Sequence, residues 1–174
     1  MINQFDLEYI LTNNVNNKFV IIDNIFNEQI YSKLCHDINQ INIIFNKMTN
    51  SIIYNSLYGI LNSFEDLNLT IKDISTTLKN IDNNIDKIYL SSYILLKGYL
   101  HTITKKIKQA NINFYNYFDK YNSVIKQRVI DYLVNTGHDM VQCIDKYDKD
   151  MNILFKEYCT IDKAVIGIIN KCSL

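Results

Sequence analysis

Proline and tryptophan are absent from the 174 residues, and glycine occurs only four times. Without proline, no helix has to break or kink for want of an amide donor. Gly59, Gly98, Gly137 and Gly167 stand too far apart to build a phosphate-cradling loop. Net charge is lacking too. Eighteen basic and eighteen acidic residues cancel, so no global field draws nucleic acid or an anionic membrane. No apolar run is long enough to span a bilayer, and the last one, AVIGII from Ala164 to Ile169, falls far short. The opening, MINQFDLEYILTNN, has no basic stretch followed by an apolar one, so no secretory signal is expected. Cys35, Cys143, Cys159 and Cys172 form no CxxC pair, which fits reduced thiols in an intracellular protein. Outside secretion, the sequon Asn68-Leu69-Thr70 carries little weight.

What is present is helical periodicity. Hydrophobic residues make up 48 % of the chain and charged ones 21 %, ordinary values for one globular domain over residues 1–174. Ile30, Leu34, Ile38, Ile41 and Phe45 form an amphipathic stripe, with Asn27 placed to cap its start. A second stripe runs through Ile52, Ile53, Leu57, Ile60, Leu61 and Phe64. A third, capped by Asn68 or Thr70, holds Ile71, Ile74, Leu78 and Ile81. After the polar turn Asp82-Asn83-Asn84 comes IYLSSYILLKGYL, Ile88 to Leu100, apolar at nearly every helical azimuth. Such a helix has to be surrounded, and at about 20 Å it is too short to span a bilayer, so it reads as a central helix wrapped by others. It should end near Lys105, Lys106 and Lys108, cations suited to a helix C-terminus. Val124 to Leu133 marks a further helix stopped by Gly137, then a short one at Met140, Val141 and Ile144, and a last one from Met151 onward. The only β-branched run, FVIIDNI from Phe19 to Ile25, would be a strand without a partner. The expectation is an all-α bundle of seven to nine helices in one domain.

Catalytic and metal-binding chemistry find no foothold. His36, His101 and His138 lie on different predicted elements, and none has a ligating residue three or four positions away. Asp148, Asp150 and Asn152 imitate the start of a calcium loop. Ile153 then stands where that loop needs glycine, and Cys159 where it needs glutamate, so the three read as a solvated, charged helix start. No cofactor, metal or nucleic acid is expected, and no enzyme. Thirteen tyrosines serve equally as core aromatics or as hot spots of an interface.

Four segments carry a family likeness. YNSLYGI (Tyr54 to Ile60), TIKDISTTL (Thr70 to Leu78), IDKIYLSSYILL (Ile85 to Leu96) and VIKQRVIDYLVNTGHDMVQCIDK (Val124 to Lys146) resemble, in order and spacing, stretches of poxviral Bcl-2-like apoptosis inhibitors. Heavy use of asparagine, isoleucine, lysine and tyrosine, as AT-rich coding produces, agrees with that group. The resemblance implies a Bcl-2-like bundle around a central hydrophobic helix, and a viral pro-survival protein of the host cytoplasm or mitochondrial outer membrane. It would inhibit host apoptosis by holding the amphipathic Bcl-2-homology-3 helix of pro-apoptotic Bcl-2 family proteins in a surface groove. The implied walls are the Ile30–Phe45, Ile52–Phe64 and Thr70–Ile81 helices, with the start of the central helix as floor. The implied lining is Leu57, Ile60, Leu61, Ile74, Leu78, Ile88 and Ile94, and Lys87 would pair with the ligand's aspartate. Cellular members carry a glycine before that cation, where this chain has Asp86, and the tryptophan of the cellular motif is missing. Some viral members end in a hydrophobic membrane tail, which this chain does not show.

Two other readings stand beside this one. On the same fold, relatives with a closed groove inhibit innate immune (NF-kappa-B type) signalling through a homodimer or an adaptor. A small enzyme or metal protein on an unrelated bundle would need polar side chains converging in a pocket.

Overall fold

The computed structural model describes residues 25–88 and 90–172. They form four α-helices and one 3-10 turn: α1 Glu28–Ile53, α2 Leu57–Asn83, the turn Ile85–Lys87, α3 Leu90–Asn135 and α4 Met140–Lys171. The all-α class is as expected. The candidate strand Phe19–Ile25 lies, except for Ile25, outside the described residues.

Fewer and longer helices replace the several short ones. The stripe Leu67, Ile71, Ile74, Leu78, Ile81 carries α2 straight through Asn68 and Thr70, and all five side chains are buried. Ile103, Ile107, Ala110 and Phe114 do the same for α3 through the lysine-rich stretch where it was expected to end. The polar residues there lie on the solvent side of a continuing helix, and no proline interrupts it. α3 therefore reaches 46 residues, about 69 Å at 1.5 Å per residue.

The stops are chemical. Asn27 caps α1 by accepting the Ile30 N–H at 3.0 Å. The chain turns at Tyr54-Asn55-Ser56, splitting the expected Ile52–Phe64 stripe between two helices. Asn55 supplies the left-handed conformation at φ 56°, and Ser56 caps α2 by accepting the Gly59 N–H at 3.1 Å. Gly59 is required because an added Cβ would run into the Ser51 side chain where α1 and α2 approach. After α3, Gly137 at φ 95° lets its own N–H reach the Val134 carbonyl and that of His138 the Leu133 carbonyl, each at 3.0 Å. This is the Schellman stop expected of that glycine. Asp139 then caps α4.

The helices make two antiparallel hairpins, α1–α2 and α3–α4, laid face to face. Tyr31 meets Tyr99 and Phe45 meets Tyr117, so α1 and α3 run side by side in parallel. Phe64 meets Tyr147 and Ser75 meets Thr160, so α2 and α4 do likewise. α2 and α3 face each other across a diagonal and touch thinly. The link from α2 to α3 crosses the end of the bundle and buries Ile85 and Ile88 there. Phe114 sits at the centre, stacked on Tyr158 at 4.0 Å and edge-on to Phe118 and Phe155.

Among the described residues the start of α3 keeps one face in solvent. The apolar azimuths at the start of α3 have separate uses. Tyr99 packs on α1, and Tyr93 donates from its hydroxyl to the Ile85 carbonyl at 2.7 Å. Ile94 is 40 % exposed, and Lys97 and Gly98 face solvent. No helix of the described residues is long and apolar enough to cross a membrane.

Candidate functional site

α2 and α4 touch firmly at their lower ends. Lys171 pairs with Asp82 at 3.0 Å, and Ser75 and Thr160 share a hydrogen bond of 3.0 Å. The small residues Ala164 and Gly167 lie in this stretch of α4, and a Cβ on Gly167 would come within 3.3 Å of the Asp82 carboxylate. Toward the hairpin tips the two helices separate, and α3 closes the gap from beneath. The result is a groove of about 650 Å³, within the usual range for a ligand-binding recess.

Leu61, Phe64 and Leu69 of α2 form one wall. Cys143, Tyr147, Met151 and Leu154 of α4 form the other, and Val129 and Leu133 of α3 make the floor. Cys143, Tyr147, Met151 and Leu154 are themselves the buried stripe of α4 and form the bottom of its wall, while Leu61 and Leu69 lie exposed beside the stripe of α2, so the groove is lined up by the same periodicity that builds the bundle. Asn68, Lys72, Lys146, Asp150, Ile153 and Glu157 stand around the rim. The Tyr147 hydroxyl donates to Asn122 Oδ1 at 2.8 Å, and burial holds its pKa above the usual phenol value. Tyr147 therefore serves as a fixed, protonated wall.

A second recess of about 610 Å³ lies at the hairpin tips, between Asn55, Leu57 and Ile60 on one side and Arg128, Asp131, Tyr132 and Asn135 on the other. Arg128 is the only arginine in the chain. Its guanidinium donates to the Ile52 carbonyl at 3.0 Å and to Asn55 Oδ1, tying the α1–α2 turn to α3. Around it Tyr54 and Tyr58 are 81 % and 78 % exposed.

The residues named from the sequence are dispersed. Leu61, 46 % exposed, lies in the α2–α4 groove, while Leu57 and the buried Ile60 border the tip recess. Ile74 and Leu78 belong to the core stripe of α2 and are fully buried, and Ile88 is sealed in the link. Ile94 faces outward from α3. Lys87 is exposed in the 3-10 turn ahead of α3, at the end of the bundle away from the groove. The open seam is thus between α2 and α4, and the Ile30–Phe45 helix lies across the bundle, against α3. The α4 wall was missed. Its stripe is visible in the sequence, but a core stripe and a groove wall have the same spacing.

Other candidate chemistry stays apart. His36, His101 and His138 are exposed on α1, on α3 and in the α3–α4 turn. Asp148, Asp150 and Asn152 lie on solvent-facing turns inside α4, where Lys126 pairs with Asp148 at 2.8 Å. Cys159 meets the Tyr115 hydroxyl at 3.4 Å. That bond, with burial behind it, pushes the Tyr115 phenol up to about 12. Among the described residues no cluster of three or more His, Cys, Asp or Glu is placed to hold a metal ion, and the four cysteines are free. Comparison with protein-family models, with curated proteins and with solved structures finds no match to this chain.

Proposed function

We propose that this protein acts by binding, not catalysis, and that the α2–α4 groove takes an amphipathic helix from a partner. One observation carries the reading: an apolar trough between two parallel helices, floored by a third and rimmed by charge. An apolar helix face with anchors every three or four residues fills such a trough. The family likeness supports a sharper form. There the partner is the Bcl-2-homology-3 helix of a pro-apoptotic protein, and the activity is viral inhibition of host apoptosis in the cytoplasm or at the mitochondrial outer membrane. The seven-to-nine-helix arrangement around a central helix belongs to that form as well.

Calorimetric titration with a panel of death-motif peptides tests it. Binding below micromolar Kd, abolished by Leu61→Glu and untouched by Lys87→Glu, would support capture in the α2–α4 groove. Loss with Lys87→Glu alone would move the site to the one implied by the resemblance. A second reading, inhibition of NF-kappa-B type signalling through a dimer or adaptor, draws on the burial of Ile60, Ile74, Leu78 and Ile88, side chains that the resemblance would place in an open groove. Indifference to every death-motif peptide would favour it.

A further inference from the structure

The groove's charges define what kind of helix fits it, an inference that rests on the groove being a helix-binding site. Lys72, Lys146, Asp150 and Glu157 all border it. None of the four belongs to an ion pair, and the three pairs among the described residues lie elsewhere. Their order is asymmetric. On α4 the sequence from the tip end is Lys146, then Asp150 about 6 Å along, then Glu157 about 10 Å further. The Ser75–Thr160 bond sets the register between the helices, so Lys72 and Glu157, each three residues earlier, stand at the same height at the lower end of the groove.

We infer that the occupant is an amphipathic helix of mixed charge whose flank along α4 carries a base opposite Glu157, a base opposite Asp150 and an acid opposite Lys146. A uniformly basic helix would meet repulsion at Lys146, and a uniformly acidic one at Asp150 and Glu157. The direction follows from the walls. α2 and α4 both begin at the tip end, capped by Ser56 and Asp139, so both positive helix ends lie there. A ligand running antiparallel to them sets its negative C-terminal end against those ends. Read from its N-terminus, the flank is a base, a second base seven residues later and an acid four residues after that. The opposite flank carries an acid near the ligand's N-terminus, facing Lys72. A second copy of this chain fits poorly, because two grooves pressed together leave both concavities unfilled.

The test uses two synthetic helical peptides with one apolar stripe. One bears Lys, Lys and Glu at the stated spacings, and the other has all three charges reversed. Both are titrated into the full chain and into its Lys146→Glu/Asp150→Lys variant. Exposed ion pairs are individually weak, so the expected preference at low salt is about tenfold for the first peptide. It should invert in the variant and shrink in high salt as screening grows. Equal binding of both peptides to both proteins, or tighter binding of the reversed peptide to the unmodified chain, overturns the charge assignment and leaves the groove standing. Failure of both peptides to bind overturns the groove reading and this inference with it. Light scattering that shows a two-copy particle undisturbed by peptide would give the groove to a second copy and overturn it too.

Discussion

Two seams join the hairpins, and each is a pair of parallel helices packed side by side. The α1–α3 seam is shut by rings. Tyr31 stacks on Tyr99 at 4.1 Å between centroids, Phe45 stacks on Tyr117 at 4.3 Å, and Thr49 donates to the Tyr117 hydroxyl at 3.1 Å. Arg128 fastens its tip end. The α2–α4 seam is held below by Ser75, Thr160, Ala164 and Gly167, and toward the tips Phe64 meets Tyr147 edge-on beside the groove. Side chains set the two seams apart: flat rings fill the space between parallel helices on one side, while Leu61 and Leu69 stay exposed on the other.

Truncation on the two sides should show the largest contrast. Phe45 is buried and touches Phe114, Tyr117 and Phe118. Phe45→Ala should cost about 3–5 kcal/mol in urea denaturation. Leu61→Ala, on the open side, should cost less than about 1 kcal/mol. Comparable losses would mean that both seams are equally packed and that the groove is closed in solution. Next in size is Arg128→Lys. Both bonds, to the Ile52 carbonyl and to Asn55, leave the guanidinium's Nη1, and the lysine ammonium sits one bond closer to the backbone, so a loss of about 1–2 kcal/mol is expected.

Alkali reads both seams together. Burial raises Tyr117 on the closed side and, further, Tyr147 and Tyr158 around the α3–α4 contact. Above pH 10 the unfolded chain has released phenolic protons that the native state still holds. The native state then binds more protons, and stability falls as pH rises. Tyr147→Phe should flatten that decline without moving stability at pH 7 by more than the roughly 0.5–1.5 kcal/mol of its bond to Asn122. The smallest effect belongs to Ser75→Ala. Thr160 keeps its bond to the Glu157 carbonyl, so thermal melting should shift by no more than about 0.5 kcal/mol equivalent. A larger loss would show that the lower seam depends on that hydroxyl pair.

Much of the framework was legible. The Ile30–Phe45 stripe, the Asn27 cap and the Gly137 stop follow from periodicity and local chemistry, and those reach only a few residues along the chain. The merging of short helices into long ones was not. Asn68, Thr70 and the Lys105–Asn113 stretch look like boundaries because they are polar, yet each lies on a helix whose buried face continues beneath it. The turn at Asn55 was missed because neither glycine nor proline marks it, and asparagine took the left-handed position instead. The apolar segment from Ile88 was read as enclosed because its hydrophobic residues point several ways. They serve α1, the link and solvent in turn. The groove was least legible of all. Whether Leu61 and Leu69, beside the buried stripe of α2, meet a neighbour or an open groove depends on residues far off in sequence.

The link over Asn84–Ile88 gives the molecule a modular character. Each hairpin closes on itself through contacts near in sequence, and among the described residues the two seams, with the thin α2–α3 diagonal where Phe64 stacks on Phe118, join one hairpin to the other. The chain is in effect a tethered pair of half-cores. What keeps one half with the other is the high effective concentration that this short strap imposes. A hairpin donated by a second chain would find every seam intact, so the strap's length is the control that separates self-pairing from exchange between copies.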